Sequence, residues 1–414
     1  MKLKQKDSQI AKLIDLETQR QKDTLQMIPS ENHCTPAVRE ALGSILTDKY
    51  AEGLPGKRYY GGNQFIDKVE MLCIERVKKL FKVEHVNVQP HSGSPANAAV
   101  YVATCQPGDT IMGMGLAMGG HLTHGSKVSF SGKFFNSVPY GVDEKSHLIN
   151  YDEVKKLVQQ HKPKLIWVGA TAYPRIFDWK KLGEIADSVG AYVAADIAHI
   201  AGLVAGGAHP SPVPYVHIVT TTTHKTLRGP RGGMVMVTKK GIQKDLELPK
   251  RIDKAIFPGL QGGPHENAIA AIAVCLKEAA TPAFKKYAVQ IVKNAKVLAE
   301  ELKKHGFNII SGGTDNHLML IDLRNKNITG IEAQDLLEKA GMSTNRNSIP
   351  FDPAGPFKPS GLRLGTPAIT TRGMKEKEMK MIAGWMNEVI SNPASAAKIA
   401  QEVKKLCKKF PLPK

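Results

Sequence analysis

Thr220-Thr221-Thr222-Thr223-His224-Lys225-Thr226-Leu227-Arg228-Gly229-Pro230-Arg231-Gly232-Gly233 sets the reading of the chain. The β-branched run from Val216 to Thr223 predicts a strand. The glycines, proline and arginines behind it predict a loop, and Met234 to Val237 predict a second strand. Lys225 therefore stands where a strand opens into a loop, with Arg228 and Arg231 within six positions. Neighbouring cations disfavour the ammonium form, so the pKa of Lys225 should fall. A neutral amine can form a Schiff base with a carbonyl. A lysine between a strand and a turn is ordinarily a plain surface group, so the rest of the chain has to decide.

At 414 residues the chain exceeds one small core and suits two domains. The division expected is an N-terminal arm over 1–55, a large domain over 56–276 and a small C-terminal domain over 277–414. The apolar fraction, 42%, is that of an ordinary soluble protein. The five cysteines (34, 73, 105, 275 and 407) are odd in number and scattered, with no C-x-x-C pair. That pattern suits a reducing, cytoplasmic setting and argues against a zinc site, so no metal is expected. Met1 to Leu25 has no apolar core of the signal-peptide kind. The longest apolar run, Ala268 to Leu276, is too short to span a bilayer, so no membrane is expected. A net charge of +19 raises the question of nucleic acid. The lysines, however, spread through helix-like segments such as Lys277 to Lys304 and Lys375 to Lys409, with few aromatics and no RNA-binding signature. They read as a solvated surface.

Taken in order, Gln9 to Gln26 carries Ile10, Leu13, Ile14 and Leu16 at helical spacing, and Pro36 to Leu46 reads as a second helix. Tyr50 to Gly62 is broken by Gly and Pro and predicts an irregular loop. It holds three tyrosines, two cations and a carboxylate in thirteen positions, a mixture that suggests binding. Helices are predicted over Lys68 to Phe81 and Trp179 to Val189, and strands over Val86 to Gln89, Thr110 to Met112, Lys164 to Val168 and Ala191 to Asp196. This alternation predicts a largely parallel sheet. Ser92-Gly93-Ser94 opens a helix and offers free N–H groups to an anion. Asp196 ends an apolar strand, where a carboxylate requires a cation or a capping role. Carboxyl ends of strands are where such sheets hold ligands. A Schiff-base amine, a partner for a pyridinium nitrogen and a phosphate cup are what pyridoxal phosphate requires. Arg363, between Gly361 and Gly365, offers a guanidinium for a substrate carboxylate.

With these residues in place the chain resembles the serine hydroxymethyltransferase family, nearly end to end. The motifs are Ser30-Glu31-Asn32, Tyr50 to Gly62, His91 to Asn97, Gly119 to Gly125, Asp196 to Gly202, Val219 to Gly233, Phe257 to Pro264 and Leu362 to Pro367. The resemblance implies an α/β fold of the aspartate-aminotransferase type (fold type I). A large domain with a mostly parallel sheet covered by helices would be followed by a smaller C-terminal α+β domain. It also implies a homodimer with active sites shared between subunits.

By position, the resemblance gives Lys225 the Schiff base with pyridoxal phosphate and Asp196 the ring nitrogen. His121 would stack on the ring and His199 contact its oxygen. Ser92, Gly93, Ser94 and Arg231 fall on cofactor positions, and Gly262 and Gly263 on those serving the partner's phosphate. Arg363 would clamp the carboxylate of serine or glycine, with Ser30 and Tyr60 nearby. Glu52 and Tyr50 would reach in from the partner and handle protons, and His224 and Thr222 would tune which amino acids react. Leu116, Gly120, Leu122, Asn347, Gly355, Pro356 and Phe357 match the tetrahydrofolate edge. Phe351 and Gly355 depart from the family there, Gly355 replacing a frequent serine; Pro29 and Arg228 depart elsewhere. The implied reaction interconverts serine and glycine with tetrahydrofolate as co-substrate, by cleavage between Cα and Cβ. Two rivals stand beside it. One is a folate-independent aldolase for threonine-like substrates, against which Gly120-His121-Leu122 speaks. The other is an RNA-binding side activity of the basic surface.

Overall fold

The computed structural model describes residues 3–355 and 357–413. Seven strands build the large sheet: β1 (His85–Asn87), β2 (Thr110–Met114), β3 (Asn136–Tyr140), β4 (Leu165–Val168), β5 (Tyr192–Asp196), β6 (Ile218–Thr222) and β7 (Gly233–Val237). Their spatial order is β1-β7-β6-β5-β4-β2-β3. All run parallel except β7, which is antiparallel to both its neighbours. The sequence reading missed β3, whose Asn136-Ser137-Val138-Pro139-Tyr140 lacks an apolar run. It lies at the sheet edge, where a proline is tolerated.

The central strands are buried on both faces, and their side chains alternate between two cores. Ile166, Val168, Val193, Ala195 and Val219 enter one core. Leu165, Trp167, Tyr192, Ala194 and Ile218 enter the other. That period of two explains why continuous apolar runs, rather than alternating ones, marked these strands. The helices include α1 (Ser8–Asp23), α2 (Gln64–Phe81), α3 (Gly93–Thr104), α4 (Trp179–Asp187), α5 (Glu266–Ala279), α6 (Pro282–Lys304), α7 (Glu376–Ser391) and α8 (Ala396–Lys409).

A second sheet is wholly antiparallel: β8 (Asn308–Ile309), β9 (Leu318–Asp322), β10 (Asn345–Asn347) and β11 (Gly361–Gly365), in the order β8-β9-β11-β10. Its core takes residues from both chain ends. Leu25 and Met27 lie in it, and Leu25–Gln26 pair in parallel with Met342–Ser343. α6 belongs to both units: Phe284, Ala288 and Ile291 pack in the large core, and Ala295, Leu298 and Leu302 in the small one.

Three sequence readings change. The helix expected over Pro36 to Leu46 stops at Leu42, with Gly43 as C-cap, and a 3-10 turn follows over Ile45–Asp48. The Tyr50 to Gly62 stretch is not wholly irregular, since Gly53–Leu54 and Lys57–Arg58 form a short antiparallel hairpin. Arg58 holds it by donating to the carbonyls of Ala51 and Gly53. Finally, the apolar spacing on α1 covers no core: Ile10, Leu13, Ile14 and Leu16 are all exposed. Among the described residues no single helix is long and apolar enough to cross a membrane.

Candidate active site

The carboxyl ends of the parallel strands converge on one cavity of about 230 Å³, lined by the start of α3, the end of β5 and the loop after β6. Asp196 closes β5. Gly169, just past β4, lies so close that a Cβ there would sit 2.3 Å from the Asp196 carbonyl oxygen. The Asp196 carboxylate accepts from Asn97 Nδ2 at 2.9 Å and the Ala198 N–H at 3.0 Å, and pairs with His124 Nε2 at 3.1 Å. Burial pushes its pKa up. The bond and charge of His124, the charge of His121 and the Asn97 amide outweigh that and hold it below the usual carboxylate range. The orientation of Asn97 is fixed in turn, because Thr220 Oγ1 donates to its Oδ1 at 2.6 Å. The His124 ring stacks on Trp167, 5.2 Å away and 8° from parallel.

Lys225 follows β6 by three residues. Its amine is pushed down to about 8, first by burial, then by Arg363 and Arg231, with Asp196 pulling the other way. The direction agrees with the sequence argument, and Arg231 contributes as that argument expected. Burial dominates, and Arg228 is turned away: its guanidinium stands 4.8 Å from the Tyr287 ring centre and 3.9 Å from Glu278. At pH 7 about one amine in ten is then neutral, against about one in three thousand for an ordinary lysine. The loop is pinned by Asn32, whose Nδ2 donates to the Lys225 carbonyl at 2.9 Å and to Tyr287 Oη at 2.8 Å.

Ser92 caps α3, and Gly93 and Ser94 form its first turn, presenting unpaired N–H groups to the cavity. The cradle is close-fitted. A Cβ on Gly93 would meet Thr222 Cγ2 at 2.7 Å, and one on Gly233 would meet the Ser92 carbonyl oxygen at 2.4 Å. An anion cup, a carboxylate held ionised and a poised amine on one cavity fit pyridoxal phosphate in chemistry.

Three histidines besides His124 complete the lining. His121 is driven down to about 4 by burial, and its Nδ1 accepts from the Thr123 N–H, which leaves the ring proton on Nε2. His224 is driven down to about 3 by burial, then by Lys225. His199 is buried and lowered well below its ordinary value. Thr222 is buried at the end of β6. Arg231 and His224 also line a second cavity of about 350 Å³ with Ser30, Glu31 and Asn32. Arg363 sits mid-strand in β11, where Nη1 donates to the Thr171 carbonyl at 2.7 Å and Nε to Asn345 Oδ1 at 3.1 Å. Burial lowers it to about 10, so it stays protonated at neutral pH.

The other predicted residues lie elsewhere. Tyr50, Glu52, Tyr60, Gly262 and Gly263 line none of the Lys225 cavity. They form a separate cluster: Tyr50 donates to Glu52 at 3.2 Å, and the Tyr50 and Tyr60 rings meet edge-on at 5.0 Å. A Cβ on Gly262 would reach Glu52 at 2.8 Å, and one on Gly263 the Tyr50 ring at 3.0 Å. The charge of Glu52 raises the Tyr60 phenol. Within one chain Tyr60 thus accompanies Glu52, not Arg363. Leu116 and Leu122 are exposed around Gly120, whose carbonyl accepts from Thr171 Oγ1. Asn347 is in β10, Phe357 is exposed in the following loop, and Pro356 lies outside the described residues. Gly355 has φ +70°, a conformation that a serine there would adopt only with strain.

Asn97, Thr123 and His124 were quoted within motifs but given no role by sequence reasoning. Their spacing from His121 carries no signal that they reach Asp196, which lies 72 residues beyond His124. A family model described as serine hydroxymethyltransferase matches residues 3–386 of the chain.

Proposed function

Because the chain belongs to the serine hydroxymethyltransferase family, a family of pyridoxal-phosphate enzymes that transfer a hydroxymethyl group between serine, glycine and tetrahydrofolate, we propose the following reaction. Serine and tetrahydrofolate give glycine, 5,10-methylenetetrahydrofolate and water, reversibly. The observation that carries this reading is the single cavity shared by Lys225, Asp196 and the start of α3.

Bound pyridoxal phosphate supplies the electron sink into which the Cα–Cβ bonding pair passes. The chain's residues do the rest. Lys225 offers an amine partly neutral at physiological pH and returns when product leaves. Asp196, kept ionised by His124 and Asn97, favours a proton on the ring nitrogen. The N–H groups at Ser92, Gly93 and Ser94 hold the phosphate. Arg363 receives the amino-acid carboxylate. It belongs to the antiparallel unit and already touches the Thr171 carbonyl of the large one, so substrate would tie the two units together. His224 and His121 stay neutral and leave positive charge to Lys225 and Arg231 in the lining and to Arg363 behind Thr171.

Glu52, Tyr50, Tyr60, Gly262 and Gly263 are assigned to the site of a second subunit. Two observations support this: none of them lines the Lys225 cavity, and apolar groups near them are uncovered. Tyr59 is 76% exposed and Phe65 67% exposed, and α1 adds its own bare face.

The test is transfer itself. Serine labelled at Cβ should deliver its label to tetrahydrofolate at the rate at which glycine appears, and calorimetry should show tetrahydrofolate binding to the glycine complex. No folate binding together with brisk threonine cleavage would establish the aldolase reading instead.

A further inference from the structure

We propose that His317 is a positioning residue that fixes the tautomer of His199, so that His199 presents an Nε2–H to the Lys225 cavity. His317 stands just before β9 in the antiparallel unit, and its backbone is held by the Thr366 N–H, which donates to its carbonyl. His199 follows β5 in the large unit. The two rings stack 5.4 Å apart at 29°, with His317 Nε2 3.2 Å from His199 Nδ1. Both side chains are buried, 0% and 4% exposed.

Neither ring is charged. Burial lowers both, and Arg363 and Lys225 disfavour a further cation beside them. Two neutral imidazoles sharing one hydrogen bond must divide the roles: one nitrogen donates and the other accepts. Two arrangements are possible. If His199 Nδ1 donated, His317 would carry its own proton on Nδ1. That atom is fully buried without a partner among the described residues, and an orphaned buried N–H is the rarer and costlier defect. If His317 Nε2 donates, only a bare lone pair is left at its Nδ1. The second arrangement therefore wins. It places the proton of His199 on Nε2, the ring nitrogen with no protein partner, on a side chain that lines the cavity. A residue of one unit thereby sets which nitrogen of the other unit can donate to a ligand oxygen. The identity of that oxygen rests on the proposed function; the tautomer does not.

Protein labelled with ¹⁵N-histidine and free of added cofactor tests this by long-range ¹H–¹⁵N correlation, with His199 assigned through His199→Asn. The expected result is a His199 proton on Nε2 and an unprotonated Nδ1. His317→Gln puts an amide N–H near the lost ring nitrogen and should keep that tautomer. His317→Leu should release it. In the cofactor-loaded enzyme, kcat/KM for serine should fall about tenfold in His317→Leu, the effect of one lost hydrogen bond, and less than about threefold in His317→Gln. A proton on Nδ1, or an imidazolium, in the wild-type protein would overturn the proposal. So would equal losses in the two variants, or a leucine variant with unchanged tautomer and turnover. Should the leucine variant not fold, the wild-type tautomer and the glutamine variant decide. Absence of serine–glycine turnover would defeat the proposed function while leaving the tautomer measurement standing.

Discussion

Lys225 shows how a side chain's chemistry follows from where it is buried. Its ammonium is disfavoured in the fold, so below pH 8 the folded protein bears the cost of a buried charge. Between about 8 and 10.5 the unfolded chain binds more protons than the folded one, so stability gained from this group rises with pH. Lys225→Met should therefore be more stable than wild type at pH 7 without cofactor, by about 2–3 kcal/mol, and the gap should close as pH rises through that window. Urea titrations of both proteins at several pH values check this. The variant should also lose all serine turnover. Asp196 carries the complementary prediction. In Asp196→Asn the partner for a protonated ring nitrogen is gone, while bulk and burial remain. Exchange of the glycine α-proton should slow by more than about a hundredfold, and a rate near wild type would remove Asp196 from its assigned role. Both residues were legible in the sequence only in combination, because an amine and a carboxylate at strand ends, a Ser-Gly-Ser helix start and the family motifs occur together. His124 and Asn97 were not, because their role depends on a contact between distant segments.

Helix α5 begins with Glu266, whose carboxylate is buried without a hydrogen-bond partner among the described residues. It lies 4.0 Å from Arg58, whose guanidinium is closer to Glu70, at 2.6 Å. Burial raises the Glu266 pKa to about 8, with Glu70 adding to it and Arg58 opposing. A raised carboxyl makes the folded state hold the extra proton between about 4.5 and 8. Its contribution is thus complete at low pH and is lost as pH rises through 8. Glu266→Gln, which is neutral at every pH, should match wild type near pH 5 and exceed it by about 2 kcal/mol at pH 9. Chemical denaturation at the two pH values measures the difference, and equal stabilities at pH 9 would mean that Arg58 neutralises the group fully. At this scale period marked several of the helices and the buried strands of the large sheet, but none of the strands β8 to β11 of the antiparallel sheet. Nor did the sequence announce β3, which has no apolar run, or the Gly53–Arg58 hairpin, which Arg58 stabilises through carbonyls it contacts only in the fold.

The whole molecule raises the question of what covers Tyr59, Phe65 and the bare face of α1. If a second copy does, Lys225→Ala and Glu52→Gln chains should each be inactive and should recover activity when mixed and reassembled, since each mixed pair holds one intact site. The expected recovery is about a quarter of wild type, half of the chains pairing unlike and each such pair having one site of two. Verified mixed dimers without activity would show that the Glu52 cluster serves no partner. The sequence by itself determined the α/β class and the family, and it singled out Lys225, Asp196 and the Ser92-Gly93-Ser94 turn. These depend on local periodicity and on residue types that few other chemistries require together. Only the tertiary structure decided that burial leads in poising Lys225, ahead of Arg363 and Arg231, and that Arg228 points away. The same holds for the hold of His124 and Asn97 on Asp196, the stacking of His199 on His317, and the separation of Glu52 and Tyr60 from their own cavity. Each of these depends on desolvation or on contacts between segments far apart in the chain, and a linear pattern encodes neither.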